Sequence, residues 1–360
     1  MFLITELSLI IYFVGFFPLA MGIVSHENES NWSWFLSHLK GMLNEDRSLV
    51  FMSDRQWGLV LGVPKIFPSS YHSYCLLHME QNIGTVVKAG KGDSSIVELF
   101  KLCARASNVY DFERYLSKFK DIGGISAEIF LRDKPFDHWA DLFFQGKRYG
   151  EYSSNVAESF NSWILENRVM PITSCLDGIR VKVMEQMARR REECCLWTTY
   201  LCPVMEERLS KLVEDGFGWE VFKSSEFVFE VKSPKSQVVD LKNRLCSCNQ
   251  WRVTSFPCAH AIKCINKCRL SVYDFVEDYF TVTAFRSSYA NAINPIPDFD
   301  KPIVAENNVL IRPPKEIRGA GRPSTKRRGG FGYSQSKRNR CSQCNKVGHN
   351  KRNCLGSSKI

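Results

Sequence analysis

Cys246-Ser-Cys248-Asn-Gln-Trp-Arg-Val-Thr-Ser-Phe-Pro-Cys258-Ala-His260 is the stretch on which the reading of this chain turns. Four soft ligands stand at a spacing that suits one tetrahedral zinc ion. Side chains alternate along an extended segment, so Cys246 and Cys248 face one way. Cys258 follows Pro257 and opens a short helix, predicted over 259–266, that carries His260. One ion would then pin the end of a strand to the start of a helix. So small a unit has little apolar core, and metal would supply much of its folding free energy. Cys264 and Cys268 continue the helical line from His260, which makes Cys264 an alternative fourth ligand.

Just upstream the pattern is that of a hairpin. Residues 226–231 and 237–241 alternate like strands around Ser233-Pro234-Lys235. Downstream, from about residue 294, the chain turns rich in Pro, Gly, Ser and basic residues, as linkers do. The net charge of +10 is unevenly placed: Arg312 to Arg340 hold ten Lys or Arg against one acid, Glu316. A basic tail of this kind is an electrostatic footprint for phosphate. It holds Arg318, Arg322, Lys326, Arg327 and Arg328, of which Arg318-Gly-Ala-Gly-Arg322-Pro resembles an AT-hook, with Ala320 where a basic residue is usual. Such a run also suits nuclear import.

A second zinc pattern closes the chain: Cys341-x2-Cys344-x4-His349-x4-Cys354. It matches the CCHC zinc knuckle, a common reader of single-stranded RNA. Lys346, Lys351 and Arg352 decorate it and can reach phosphate, although no aromatic lies inside it to stack on a base. Six of the fourteen cysteines fall into these two patterns, and the rest show no regular framework. That usage fits metal-bound thiolates in a reducing compartment rather than a secreted disulfide scaffold.

The uncharged run Leu7 to Val24 is long enough for a membrane span. No Lys or Arg precedes Lys40, and Gly15 and Pro18 interrupt the run, so strand, turn, strand over 8–24 is the expectation and a membrane partner is not. Helices are expected over 31–43 (capped by Ser30 or Asn31), 71–82, 95–120, 126–132, 155–166, 176–193 and 205–213. A short buried strand should end at Ser53-Asp54, followed by a helical turn over 56–61 and a loop holding Pro64 and Pro68.

Several ordered motifs resemble the core of plant Mutator-like element (MULE) transposases. They are Phe17-Pro-Leu-Ala-Met-Gly-Ile-Val24, Glu27-Asn-Glu, Asn31-Trp-Ser-Trp-Phe35, Met52-Ser-Asp54-Arg-Gln56, Tyr74-Cys75-Leu-Leu-His78 and Asn155-Val-Ala-Glu158-Ser-Phe-Asn161. The hairpin and first zinc cluster resemble the SWIM finger (C-x-C-xn-C-x-H). The resemblance implies a mixed α/β fold: an incomplete RNase H-like core with a helical insertion (1–167), a helical connector (168–225), a SWIM zinc hairpin-helix (226–270), a helical tail (271–293), a basic linker (294–340) and a CCHC knuckle (341–354) on a disordered tail. It implies Asp54 and Glu158 as the second and third acids of a trio that holds two Mg²⁺ or Mn²⁺ ions for DNA cutting and joining. It also implies Cys75 and His78 as the family's C-x2-H pair. The first acid has no match before Phe17, where Glu6 is the sole carboxylate. The expectation is therefore a truncated, catalytically inactive derivative that binds DNA or RNA in the nucleus through two Zn²⁺ sites. The alternatives are an active transposase with further sequence before Met1, and an adaptor that binds proteins through the SWIM finger.

Overall fold

The computed structural model describes residues 3–11, 15–43, 48–87 and 95–297. The knuckle ligands Cys341, Cys344, His349 and Cys354 and the basic tail lie outside the described residues.

The uncharged N-terminal run is a hairpin of strands, β1 (Leu3–Ile11) and β2 (Gly15–Val24), paired antiparallel. Pro18 is accommodated because the register shifts there: Leu7 pairs with Ala20 but Ser8 with Pro18, leaving Leu19 as the extra residue of a bulge. Among the described residues no helix is long and apolar enough to cross a membrane.

Helix α1 (Glu29–Lys40) starts earlier than expected. Its cap is Asn28, whose side chain accepts from the Asn31 backbone N–H at 2.9 Å. It buries Trp32, Phe35, Leu36 and Leu39 against α2 (Trp57–Ile66) and β3 (Val50–Ser53). Helix α2 runs through Pro64, where a loop was expected. Pro64 costs only the bond to Val60, close to the helix end, and Phe67 N–H still reaches Val63 O at 2.8 Å.

The largest departure is at residues 71–74. Tyr71-His-Ser-Tyr74 is strand β4, not the start of a helix, and it pairs in parallel with β3 from Val50↔Tyr71 to Ser53↔Tyr74. Helix α3 (Leu76–Val86) begins only after it. The pairing is tied by a buried side-chain bond, His72 Nε2 to Ser53 Oγ at 2.8 Å. Burial, with His138 nearby, pushes the His72 imidazole down to about 4. Since its folded value lies below its unfolded one, the stability His72 contributes is present above about pH 6.5 and is lost as pH falls toward 4. The loss should reach about 3 kcal/mol, and His72→Gln should flatten that part of the urea midpoint against pH.

Beyond α3, α4 (Ser95–Ala104) and α5 (Val109–Leu131) form an aromatic-rich core with the 3₁₀ turn at Phe136–His138 and Trp139. Asn108 caps α5 and so divides the helix expected over 95–120. The break expected before 126 sits at Gly124, whose φ of 52° and ψ of −144° interrupt α5. Helices α6 (Asn155–Trp163), α7 (Leu165–Arg168), α8 (Ile172–Cys195) and α9 (Pro203–Asp215) follow.

The pattern then changes to a four-stranded antiparallel sheet in sequential order: β5 (Glu220–Lys223), β6 (Val228–Lys232), β7 (Gln237–Asp240) and β8 (Leu245–Cys246). The central hairpin is the one expected; its outer strands are too short to register in the sequence. Helix α10 (Gln250–Thr254) and helix α11 (Ala259–Lys267) complete this module, with Ala261, Cys264 and Ile265 packed on Val231 and Val239. Last, α12 (Val282–Ser288) packs back on α8, where Arg286 donates to Cys194 O at 2.9 Å and Arg191 to Tyr289 O at 2.8 Å.

Candidate metal centre and transposase-like site

The metal centre is built by two chain reversals. After β7, the Asp240 carboxylate accepts from the Asn243 N–H (3.0 Å), and Arg244 takes a positive φ of 55°, which turns the chain into β8. Ser247 prolongs the ladder, its N–H bonding Val238 O and its hydroxyl accepting from Val238 N–H, both at 2.9 Å. Asn249 and Ser255, both left-handed, bracket α10 and return the chain to Cys258. Cys258 is the N-cap of α11, which sets its sulfur at the start of that helix.

The result is a compact donor set. One ligand atom from each of Cys246, Cys248, Cys258 and His260 lies within 4.8 Å of all the others. Among the described residues it is the only such group of three or more Cys, His, Asp or Glu. Cys246 and Cys258 are buried, while Cys248 and His260 are half-buried. His260 Nε2 stands 3.2 Å from Ser233 Oγ in the hairpin turn, and its ring stacks on Trp219 at 4.5 Å. Its Nδ1 is buried with no hydrogen-bond partner. Nδ1 is therefore the nitrogen left for a metal, with Ser233 fixing the tautomer from the other side.

The electrostatics agree. Cys248 takes hydrogen bonds from Cys246 and Cys258, which holds its thiol well below the usual range. The same bonds keep the proton on Cys258, and hydrogen bonding to Cys248 pushes Cys246 up to about 12. The three thiols thus share protons through mutual hydrogen bonds, and a bound cation would favour their ionised forms. Three sulfurs and one imidazole nitrogen fit zinc. Cys264, the alternative ligand, is instead a core thiol pushed up to about 12 by burial.

The residues singled out by the transposase resemblance fall in two places. Asp54 is exposed at the end of β3, and its Oδ1 accepts from the Gln56 N–H at 3.2 Å. Arg55 beside it has a positive φ of 71°. The carboxyl of Glu27 is pushed up by burial and then by the charge of Asp54, so the two acids lie within electrostatic reach of each other. Glu27 belongs to a quoted motif, yet nothing in the sequence pairs it with Asp54.

Cys75, His78 and Glu158 meet elsewhere. Cys75 is the N-cap of α3, and His78 Nδ1 lies 3.2 Å from its sulfur. His78 Nε2 lies 3.4 Å from Glu158 Oε1 on α6. The Ser154 N–H donates to the Cys75 sulfur at 3.2 Å, bringing the start of α6 onto α3. Neither Asp54 nor Glu158 joins a group of three or more metal-ligand atoms among the described residues.

Comparison with known families adds one finding: residues 14–82 match the MULE transposase domain. The match takes in Asp54, Cys75 and His78 and stops short of Glu158 and the Cys₃His centre. No curated protein matches the chain.

Proposed function

We propose that this chain is a zinc-dependent nucleic-acid-binding protein derived from a Mutator-like transposase and acting in the nucleus. The observation that carries the reading is the Cys₃His centre, with its orphaned Nδ1 and its mutually bonded thiols. Bound Zn²⁺ would supply charge and a fixed tetrahedral junction. The residues of the chain do the rest. Cys246 and Cys248 hold the end of β8, Cys258 and His260 hold the start of α11, and Ser233 orients the imidazole. The match over residues 14–82 supports descent from a DNA-handling enzyme. The basic residues from Arg318 to Arg328, and Lys346, Lys351 and Arg352 around a second zinc at the knuckle, supply the phosphate contacts.

The RNase H-like reading of the body is part of the proposal. It is supported by the parallel β3–β4 pair with Asp54 at its end and by the helices that cover it. Binding is favoured over strand cutting because the Glu158 carboxylate is engaged by His78 rather than gathered with Asp54.

The test is fluorescence anisotropy of the full chain with labelled duplex and single-stranded oligonucleotides. Affinity should fall at least tenfold between about 50 and 200 mM salt, and a zinc chelator should weaken it further. Purified, zinc-loaded protein that binds neither form at low salt would sink the reading.

A second reading, a strand-cutting enzyme, has one observation in its favour. The Glu27 and Asp54 carboxylates lie within electrostatic reach of each other, and paired carboxylates are what a Mg²⁺ or Mn²⁺ site uses. Mn²⁺-dependent nicking of duplex DNA that Asp54→Asn abolishes would establish it.

A further inference from the structure

A groove of about 590 Å³ runs between α9, β5 and α11 on the zinc module, beside the metal centre but lined by none of its four candidate ligands. We infer that this groove binds single-stranded nucleic acid, with bases stacked on Phe217 and Phe222 and a phosphate on Lys263. The inference rests on the nucleic-acid reading above and assigns it a second contact surface, separate from the basic tail.

Phe217 carries the inference furthest. Its side chain is 87% exposed and borders the same groove as Phe222, so two open rings line one cleft. Gly218, at a positive φ of 82°, makes the turn that presents it. Phe222 on edge strand β5 is 45% exposed, and Lys232 Nζ sits 4.8 Å from the centre of its ring. Two ring faces and adjacent cations form the usual surface for a single strand, because every base has a face to stack and every nucleotide a charge.

The charges of the lining agree. Lys263 and Lys267 face one acid, Glu220. Lys263 has no ion pair among the described residues and is free to meet a phosphate. Lys267 donates to the Val221 carbonyl at 2.6 Å, so an added peptide strand would have to compete for that edge carbonyl. This favours a nucleic acid over a peptide strand as the occupant.

Trp219 links the groove to the metal. It lines the groove while its ring stacks on the zinc-ligating imidazole of His260. Groove binding should therefore need zinc even though no metal ligand touches the strand.

The experiment uses the full zinc-loaded chain and a fluorescein-labelled oligothymidylate, with a 5-iodouracil version for photo-crosslinking. The variants are Phe217→Ala and Lys263→Ala, singly and together. Both side chains lie at the surface of the groove, and zinc content verifies the fold. The double variant should bind about tenfold more weakly or worse, with zinc stoichiometry unchanged. Its log-log salt slope should flatten by about 0.7. Adducts should map to the peptide holding Phe217 and Phe222. Unchanged affinity with adducts confined to other segments would overturn the groove but leave the tail-based reading standing, and would point to a protein occupant. Failure of the unaltered chain to bind any oligonucleotide would overturn both.

Discussion

Cys258→Ser should abolish metal binding at the proposed Cys₃His zinc centre and, with it, the fold of residues 245–267. Serine cannot supply the third sulfur, and the unit has few other means of closing. Its two ends are joined at Cys246 and Cys258, twelve positions apart, through α10, a helix of five residues. Zinc binding is worth about 10–16 kcal/mol in isolated finger peptides. Here the sheet and α11 share a core, so the loss is smaller but still comparable with the whole stability of a typical domain.

The effect should spread beyond the module. Arg252, four residues after Cys248, donates to Phe144 O at 2.7 Å and to Asp141 O, and the Gly150 N–H bonds Val253 O at 3.1 Å. These bonds hold α10 to the 141–150 segment. Metal analysis should show one zinc fewer per chain. Hydrogen exchange should show lost protection over 245–267 and at Gly150. Arg252→Met is the control: it should retain zinc and lose protection only at the 141–150 contact. Full protection of 245–267 in chelator-treated protein would refute the structural role of the metal.

The sequence made some of this legible and hid the rest, for physical reasons. Ligand spacing is local, so Cys246, Cys248, Cys258 and His260 could be read directly, as could the hairpin that leads to them. Strand β4 could not. Tyr71-His-Ser-Tyr74 runs without a strong breaker into helical residues, and only its partner β3, some twenty positions upstream, decides that it is extended. Pro64 was misleading because a proline ends a helix only where the lost bond matters, and near the last turn of α2 it does not. The closeness of Glu27 to Asp54 and of Glu158 to His78 depends on tertiary placement that no spacing rule conveys. Phe217 gave no signal either, because exposure of a lone aromatic is invisible in a sequence.

Asp141→Ala should be the most damaging single change outside the metal centre. The Asp141–Arg148 ion pair is almost wholly shielded from water, with side-chain exposures of 1% and 2%. Asp141 also accepts from the Tyr152 hydroxyl at 2.8 Å, and Arg148 donates to Ser73 Oγ and Trp139 O, each at 3.3 Å. Burial pushes the carboxyl up and the guanidinium down, and their mutual attraction opposes both. Removing the acid therefore leaves a guanidinium that can neither shed its charge cheaply nor reach solvent, at a cost of about 3–5 kcal/mol. The pair does not have to be stabilising relative to apolar side chains for this to hold. Asp141→Ala combined with Arg148→Met should recover much of the loss, since the stranded charge is gone and Phe144 remains to pack against the new side chain. Urea midpoints of the two variants decide the matter: a double variant as unstable as the single would mean that the loss comes from cavity and hydrogen bonds, not from charge. The position gives the outcome its functional weight. Arg148 reaches Ser73 on β4 and the Asp141 backbone carbonyl accepts from Arg252 on α10, so these two residues link a strand of the transposase-matched segment to the candidate zinc module. Nucleic-acid affinity of the double variant should then track how well that junction is rebuilt, and a restored midpoint without restored binding would separate the stability of the pair from its positioning role.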